Sequence, residues 1–334
     1  MINVLKKKLK TTIKFLTFFS AGIFLFWLVY KDQNVSELWD ALKKVDYFWI
    51  WISIILGLFS HFVRALRWNM LAKTIDYNPK TINSFFYVMV AYLANLALPR
   101  MGEVTRSVFI NRYEKMPITK AFGTIVLERI IDVFMLLLFT LIVLLTQIHV
   151  PLDFINNHPE IAEKFSGLDV SKVISFTAII IVGFVLVFFV FKKRIKKSKV
   201  YNKLMDLIRN FFQGLKTIKT VNNKTLFILY TLIIWGFYFF MMYVCFFSIP
   251  ETSHFTILAG LTTFVMGSYA MVAPVQGGIG AWHFMVIATL ISYGIDSSTA
   301  KVFALVCHGS MTAMLIVVGF ISLIALPLVN KNNK

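Results

Sequence analysis

The chain has 334 residues, of which 58% are hydrophobic, 16% aromatic and only 15% charged. This composition is too apolar for a soluble domain of that length, and it predicts an all-α polytopic membrane protein. The net charge of +18 is confined to short segments between apolar runs, which is the positive-inside pattern of membrane proteins. The basic charge therefore does not indicate a nucleic-acid-binding protein, and no nucleic acid is expected as a partner.

Taken in chain order, the apolar runs predict about six full transmembrane helices. The first run follows a lysine-rich start and lacks a small-residue cleavage site, so we expect an uncleaved span rather than a signal peptide. A basic linker later in the chain has apolar residues at threes and fours, which predicts a helix on the cytoplasmic leaflet, a connector between two halves, or both. The predicted spans cover about 12–30, 47–71, 121–146, 172–191, 224–249 and 299–327, and the linker about 192–224.

Two further apolar segments are short, and proline and glycine interrupt them. Segment 82–98 ends at Pro99, and segment 255–273 ends at Pro274. If 82–98 crossed the bilayer fully, an acidic loop would face the cytoplasm and the basic linker would face outside, both against the positive-inside rule. We therefore predict that 82–98 forms a re-entrant helical hairpin with about 102–116, which leaves both termini in the cytoplasm. By analogy we predict a second hairpin around Pro274.

The surroundings of the two breaks are similar. Each proline is followed three residues later by a glycine, Gly102 or Gly277, then by a short arm and a long span. In the predicted topology the first unit, about 82–146, starts inside, and the second, about 255–327, starts outside. Two such units of opposite orientation are typical of an inverted-repeat transporter with its site near the bilayer midplane. The whole chain, 1–334, is thus predicted to form a single integral membrane domain.

Ionisable residues surround the first break and begin the span that follows it. Charges inside a membrane are costly, so this pattern predicts either a binding site or a buried ion network that only locks the hairpin. We expect the helix that begins at Gly102 to offer free N–H groups to a phosphate, and Arg106 or Arg129 to neutralise the carboxylates. The candidate substrate-binding residues of this half are Arg100, Gly102, Glu103, Arg106, Glu128, Arg129 and Asp132.

The second break supplies glycines and histidines instead of charges. The glycine-rich turn is expected to favour a phosphate in the same way, close to the tip of the first hairpin. The two histidines either titrate near neutral pH or serve only as polar packing. The candidate substrate-binding residues of this half are Pro274, Gln276, Gly277, Gly278, Gly280, His283 and His308.

Span 47–71 carries three polar residues at a spacing of three, which places them on roughly one helix face. His61, Arg64 and Arg67 either line a polar cavity, or the arginines extend to the cytoplasmic interface. The cysteines, Cys245 and Cys307, both lie in apolar runs and are expected to be inert core residues.

Three motifs resemble a known family. They are L-P-R-M-G-E-V-x-R at 98–106, P-I-T-K-A-F-G-T-I-V-L-E-R-I-I-D at 117–132 and P-V-Q-G-G-I-G at 274–280. They are similar to the flippase-like family, also called the lysylphosphatidylglycerol synthase transmembrane region, which is the membrane half of bacterial multiple peptide resistance factors. His283 and His308 stand where that family usually has Glu and Arg, so an acid–arginine pair in the second half is not carried over.

The resemblance implies a protein of the bacterial inner membrane that moves a lipid between leaflets or binds one. The implied substrate is an anionic or aminoacylated phospholipid or a polyprenyl-phosphate-linked lipid. Synthase chemistry in the family needs a further aminoacyl-transferase domain, and only Asn330–Lys334 follow the last span, so no enzyme activity is expected. No nucleotide-binding, metal-binding or nucleophile motif is present in the sequence, and no cofactor or metal is expected. The alternatives are a membrane-embedded lipid transferase subunit and a partner of a separate lysylphosphatidylglycerol synthase.

Overall fold

A computed structural model describes residue 20 and residues 22–147, 220–273 and 275–331, in which all regular secondary structure is helical. The chain divides into two units, Met1–Gln147 with Thr220–Lys334, and Ile148–Lys219. The second unit lies outside the described residues, and with it the predicted span at 172–191 and almost all of the basic linker. The α-helices are α1 (22–30), α2 (Val35–Lys43), α3 (Tyr47–Lys73), α4 (Thr81–Ala97), α5 (Met101–Glu114), α6 (Ile118–Gln147), α7 (Lys224–Tyr243), α8 (Ile257–Ala270), α9 (Ala281–Ser292) and α10 (Ser297–Val329).

Four helices are long and apolar enough to cross a bilayer: α3, α6, α10, and α7 with the 3-10 turn that extends it to Ser248. They coincide with four of the six predicted spans. The predicted first span is described only over its second half, as α1. Helix α2 was not expected, because the segment 31–46 reads as a near-neutral loop. The Asn34 side chain caps α2 by accepting a hydrogen bond from the Ser36 N–H.

Helices α4 and α5 form an antiparallel pair around the first break. Leu98 is extended and Arg100 adopts the left-handed conformation, with φ of 60°, so the chain reverses within three residues. The outer ends of the two helices meet, because the Glu114 carboxylate accepts hydrogen bonds from Asn83 and Tyr87, both at 2.9 Å. The start of α4 and the end of α5 therefore lie on the same side of the molecule.

Helices α8 and α9 form the equivalent pair around the second break. Gly277, Gly278 and Gly280 all have positive φ, from 57° to 81°, which explains why this turn is glycine-rich. The outer ends of this pair also meet, since the Tyr293 hydroxyl donates to Thr262 at 3.0 Å.

The packing of the helices follows one pattern in both halves. Helix α3 packs along α7; α4 packs on α10 as α6 packs on α8; α5 lies against α4 and α6 as α9 lies against α8 and α10. Exchanging α3–α6 for α7–α10 leaves these contacts unchanged. The two breaks touch each other, because Arg100 donates to the Val272 carbonyl at 3.3 Å and the Leu96 side chain lies over Gly277.

Polar contacts between helix ends fall into two sets. One set joins the start of α4 to the ends of α5 and α10, and includes the Asn83–Asn330 hydrogen bonds at 3.0 Å. The other joins the start of α3 to the end of α7, through the Asp46 N–H and the Ser248 carbonyl at 2.9 Å. The same set links α9 to α6, where the Tyr293 hydroxyl lies 3.0 Å from Gln147 Oε1.

We predict that Gly319 on α10 is required for the close approach of α10 to α4. A methyl group there would lie 2.8 Å from the Leu93 Cβ and 3.2 Å from the Met89 carbonyl oxygen, so Gly319→Ala must separate the helices. We expect a loss of about 1–3 kcal/mol in the free energy of unfolding. The measurement is thermal unfolding of the purified protein in detergent.

The matched control is Gly309→Ala on the same helix, where a methyl group meets no atom of the described chain within 4 Å. This change should leave stability unchanged or raise it by about 0.5–1 kcal/mol, because alanine favours helix. Equal Tm values for the two variants would contradict the predicted role of Gly319.

Candidate functional site

The polar centre of the first half is a buried ion cluster between α3, α5 and α6. Arg64 and Arg67 lie three residues apart on α3, and Glu128 and Asp132 lie four apart on α6, so each pair occupies one helix face. These two faces meet. Arg64, Arg67 and Glu128 are at most 2% exposed, and Asp132 is 12% exposed.

Each carboxylate of the cluster binds more than one arginine. Glu128 accepts a hydrogen bond from Arg64 at 2.6 Å on Oε1 and one from Arg106 at 2.9 Å on Oε2. Asp132 accepts one from Arg64 on Oδ2 and one from Arg67 on Oδ1, both at 2.8 Å. Charge-assisted bonds of this length are strong, and they tie three helices together.

Arg129 lies at the edge of the cluster and is 39% exposed. Its guanidinium is 3.5 Å from Asp132 Oδ2 through Nη1 and 3.5 Å from Glu103 Oε1 through Nε. With Arg129 and Glu103 included, the cluster holds four arginines and three carboxylates. It therefore carries one excess positive charge.

Two tyrosines extend the network. Arg64 Nε donates to the Tyr238 hydroxyl at 3.0 Å, and the Tyr238 and Tyr92 hydroxyls lie 3.2 Å apart. Because the Tyr238 oxygen already accepts from Arg64, its own proton is best donated to Tyr92. The Tyr92 O–H then remains available as a donor.

A small cleft opens beside the cluster between α4, α5 and α6. The space inside it that a water molecule can occupy is about 10 Å³, which is room for about one water. Arg106 is only 2% exposed, and its Nε and Nη2 have no hydrogen-bond partner among the described residues. One face of its guanidinium is covered by the Trp68 ring, at 5.0 Å. The lining residues are Val88, Ala91, Tyr92, Asn95, Gly102, Glu103, Arg106, Ile125 and Arg129.

Most polar groups of the cleft are hydrogen-bond donors. Asn95 Oδ1 accepts from the Gly102 N–H at 2.7 Å, which leaves the Asn95 NH₂ as its free group. Arg106, Arg129 and the Tyr92 hydroxyl add further donors, and Glu103 supplies the carboxylate. A donor-rich cleft with excess positive charge is suited to an anion such as a phosphate.

Comparison with known proteins identifies the family. A family model described as "Lysylphosphatidylglycerol synthase TM region" matches residues 13–319. The chain belongs to this family.

Similar proteins are found in archaea, and their names state only that they are membrane proteins. A UPF0104 membrane protein of Pyrococcus horikoshii is 22% identical over 83% of this chain and 85% of its own length. UPF0104 membrane proteins of Methanocaldococcus jannaschii and Methanothermobacter thermautotrophicus are 26% and 22% identical, but the alignments cover 33% and 53% of this chain. The chain spans only 34% and 50% of the lengths of those two relatives. No solved structure matches the chain.

In the second half of the chain, two histidines at the glycine-rich turn stand in the place of the charged residues of the first half. His308 Nε2 lies 2.9 Å from the Gly277 carbonyl oxygen, and His283 Nδ1 accepts from the Gly280 N–H at 3.4 Å. The two rings are 4.7 Å apart. Phe26 of α1 also packs on His283, at 5.2 Å.

The His283–His308 contact corresponds in position to the Glu103–Arg129 contact of the first half. Glu103 and His283 are the third residues of α5 and α9, and Arg129 and His308 are the twelfth residues of α6 and α10. The first half thus has a Glu–Arg pair where the second has a His–His pair. Gln276 lies beside the same turn, 3% exposed, with no described partner for its Nε2. Pro274 lies outside the described residues.

The structure corrects the expectation for Gly102 and places three arginines that the sequence singled out. The Gly102 N–H is not free for a phosphate, because Asn95 accepts its hydrogen bond. Arg64 and Arg67 do not extend to an interface but are buried in the ion cluster. Arg100 lies outside the cluster, with its side chain on the Val272 carbonyl.

Arg106 pairs with Glu128, as expected, but α3 supplies the main partners of Asp132. The sequence contained a signal for this arrangement. The spacing of Arg64 and Arg67 on one helix face matches that of Glu128 and Asp132 on another, so the two charged faces can neutralise each other.

We predict that Glu128→Gln strongly destabilises the protein. The change keeps the shape of the side chain but removes the charge that Arg64 and Arg106 share in a site excluded from solvent. Removing one member of a buried ion pair costs about 3–5 kcal/mol. Thermal and denaturant unfolding of the purified protein measure the loss.

The matched control is Asp40→Asn, which breaks the exposed Lys43–Asp40 pair, where both side chains are at least 60% exposed. Such pairs contribute at most about 1 kcal/mol, so its Tm should stay close to that of the wild type. If the two variants lose the same stability, the cluster does not hold the helices together.

Proposed function

We propose that this protein binds a lipid by its anionic head group in the cleft beside Arg106 and moves that lipid between the leaflets of the membrane. The observation that carries the proposal is the buried Arg106 guanidinium, whose Nε and Nη2 have no partner on the described chain. Unpaired cationic donors are costly in a low-dielectric site, and an anion would satisfy them. Membership in the lysylphosphatidylglycerol synthase TM family is consistent with a lipid-related role.

The donors around the cleft suit a phosphate group. A phosphate oxygen set accepts several hydrogen bonds at once, and Arg106, Arg129, Tyr92 and Asn95 offer donors from three helices. The excess positive charge of the cluster also favours an anion as the ligand. The substrate classes that share this chemistry are anionic or aminoacylated phospholipids and polyprenyl-phosphate-linked lipids.

The cleft has room for about one water molecule in this conformation, so α4, α5 and α6 must separate before a head group can enter. Acyl chains have no room in it and would remain outside against apolar helix surface. Such surface is present on α6, where the side chains of Leu137, Leu141 and Leu145 are 53%, 52% and 75% exposed. This chain would therefore move the lipid and leave it chemically unchanged.

We further propose that α4–α5 and α8–α9 are re-entrant hairpins of an inverted repeat, within a fold of six full spans and cytoplasmic termini. Two observations support this topology. The outer ends of each pair lie together, at Asn83–Glu114 and Thr262–Tyr293, as the arms of a hairpin require. The main helix contacts, apart from those of α3 with α6 and α10, are also unchanged when the halves are exchanged.

We predict that Arg106→Lys impairs translocation of an anionic lipid. Lysine keeps a positive charge for Glu128 but has neither the second Nη nor the Nε of arginine. The assay reconstitutes the purified protein into vesicles with fluorescent phosphatidylglycerol and follows its arrival in the outer leaflet by dithionite quenching. We expect the rate to fall about tenfold or more, since a hydrogen bond to a charged group contributes about 1.5–3 kcal/mol.

Arg112→Lys is the matched control, because Arg112 is exposed on the same helix and does not line the cleft. It should translocate phosphatidylglycerol at the wild-type rate. Thermal unfolding of both variants shows whether each is folded. A folded Arg106→Lys variant that moves phosphatidylglycerol as fast as Arg112→Lys would contradict the proposed function.

A further inference from the structure

Glu103 is a carboxylate inside a cleft that is otherwise suited to anions. Its Oε1 lies 3.5 Å from Arg129 Nε, and its Oε2 is buried without a hydrogen-bond partner on the described chain. A buried carboxylate oxygen without a donor is costly, so this position calls for a proton or another donor. The side chain is 23% exposed, so water reaches part of it.

We propose that Glu103 couples the cleft to protons: an anionic head group binds as Glu103 takes up one proton from water. This inference rests on the proposed function, because it concerns the same cleft. In the empty cleft the Glu103 carboxylate lies against the Arg129 guanidinium, where it competes with an incoming anion. The head group then replaces it at Arg129 and adds contacts to Arg106.

The charge balance of the cluster supports coupling. The empty cleft carries one excess positive charge, with Glu103 counted as a carboxylate. If a head group of charge −1 enters together with one proton, that excess is unchanged. If it enters alone, two anions share the Arg129 guanidinium at short range, and their repulsion is large where solvent is excluded.

Protonation also changes what Glu103 offers the ligand. A carboxylate is only an acceptor, whereas a carboxylic acid donates one hydrogen bond. The cleft already presents donors from Arg106, Arg129, Tyr92 and Asn95. A protonated Glu103 would add one more donor in place of the single carboxylate that repels an anion.

Any other source of pH dependence must lie among the charged and titratable groups around Glu103. Helix α5 itself contributes Arg106, α6 contributes Arg129, with Asp132 and Glu128 behind it, and α4 contributes Tyr92 and Asn95. His61 of α3 lies close to the cleft, with its ring 4.6 Å from that of Tyr92. His283 and His308 belong to the turn of the second half.

The test measures binding of dihexanoyl-phosphatidylglycerol to the purified protein in detergent by calorimetry. The probe has a phosphodiester whose charge is constant between about pH 5.5 and 8, so a change in affinity reports on the protein. Binding that takes up a proton strengthens as pH falls. We expect the wild-type Kd to fall with decreasing pH, by at most about tenfold per unit for the uptake of one proton.

Glu103→Gln should bind the probe with a Kd that does not vary with pH and equals the low-pH Kd of the wild type. Gln keeps the size of the side chain and carries no charge. Two controls should retain the wild-type pH dependence: Glu251→Gln, which neutralises an exposed carboxylate away from the cleft, and His61→Gln. Thermal unfolding confirms that each variant is folded, and Glu103→Ala serves as a second uncharged variant.

Three outcomes overturn the inference: a wild-type Kd that is constant with pH, pH dependence that persists in folded Glu103→Gln and Glu103→Ala, or pH dependence lost in His61→Gln. Failure of the proposed function has a different signature. In that case Arg106→Lys binds the probe as tightly as Arg112→Lys at every pH.

Discussion

The arrangement of the described helices depends on mutual neutralisation between α3 and α6. Arg64 and Arg67 are buried, and an isolated cation there would be very costly, so Glu128 and Asp132 must face them. This requirement fixes the rotation of both helices about their axes. It also fixes α5, because Glu128 binds Arg106 with its second oxygen. The polar helix α5 is thus held by protein contacts that lipid cannot provide.

The two halves have similar helix packing but different side chains at the contact beside each turn. At corresponding positions the first half has Glu103 and Arg129, and the second has His283 and His308. The histidines satisfy backbone groups of their own glycine turn, and Phe26 of α1 packs on His283. The described polar cleft therefore lies in the first half. A binding function for this chain depends on that asymmetry, although the helix packing of the halves is alike.

Much of the fold follows from the sequence because apolar run length and proline–glycine breaks are local signals. Pro99 and Gly277 mark the two turns, and the helices around them begin and end within a few residues of the predicted bounds. Arg106 or Arg129 was expected to neutralise Asp132, but its main partners are Arg64 and Arg67. Spacing places these two arginines on a helix face but does not say which face it meets. The Gly102 N–H was wrongly expected to be free, because Asn95 reaches it only after the chain reverses.

A structural role and a binding role for the arginines do not exclude each other. One guanidinium has five N–H donors, and Glu128 uses only the Nη1 side of Arg106. That contact fixes the position of the side chain, and the Trp68 ring covers one face of it. The remaining Nε and Nη2 groups are thereby fixed and buried without a partner on the described chain, on a side chain that lines the cleft. A fixed donor loses little conformational entropy when an anion binds, so the network that stabilises the helices also prepares the site.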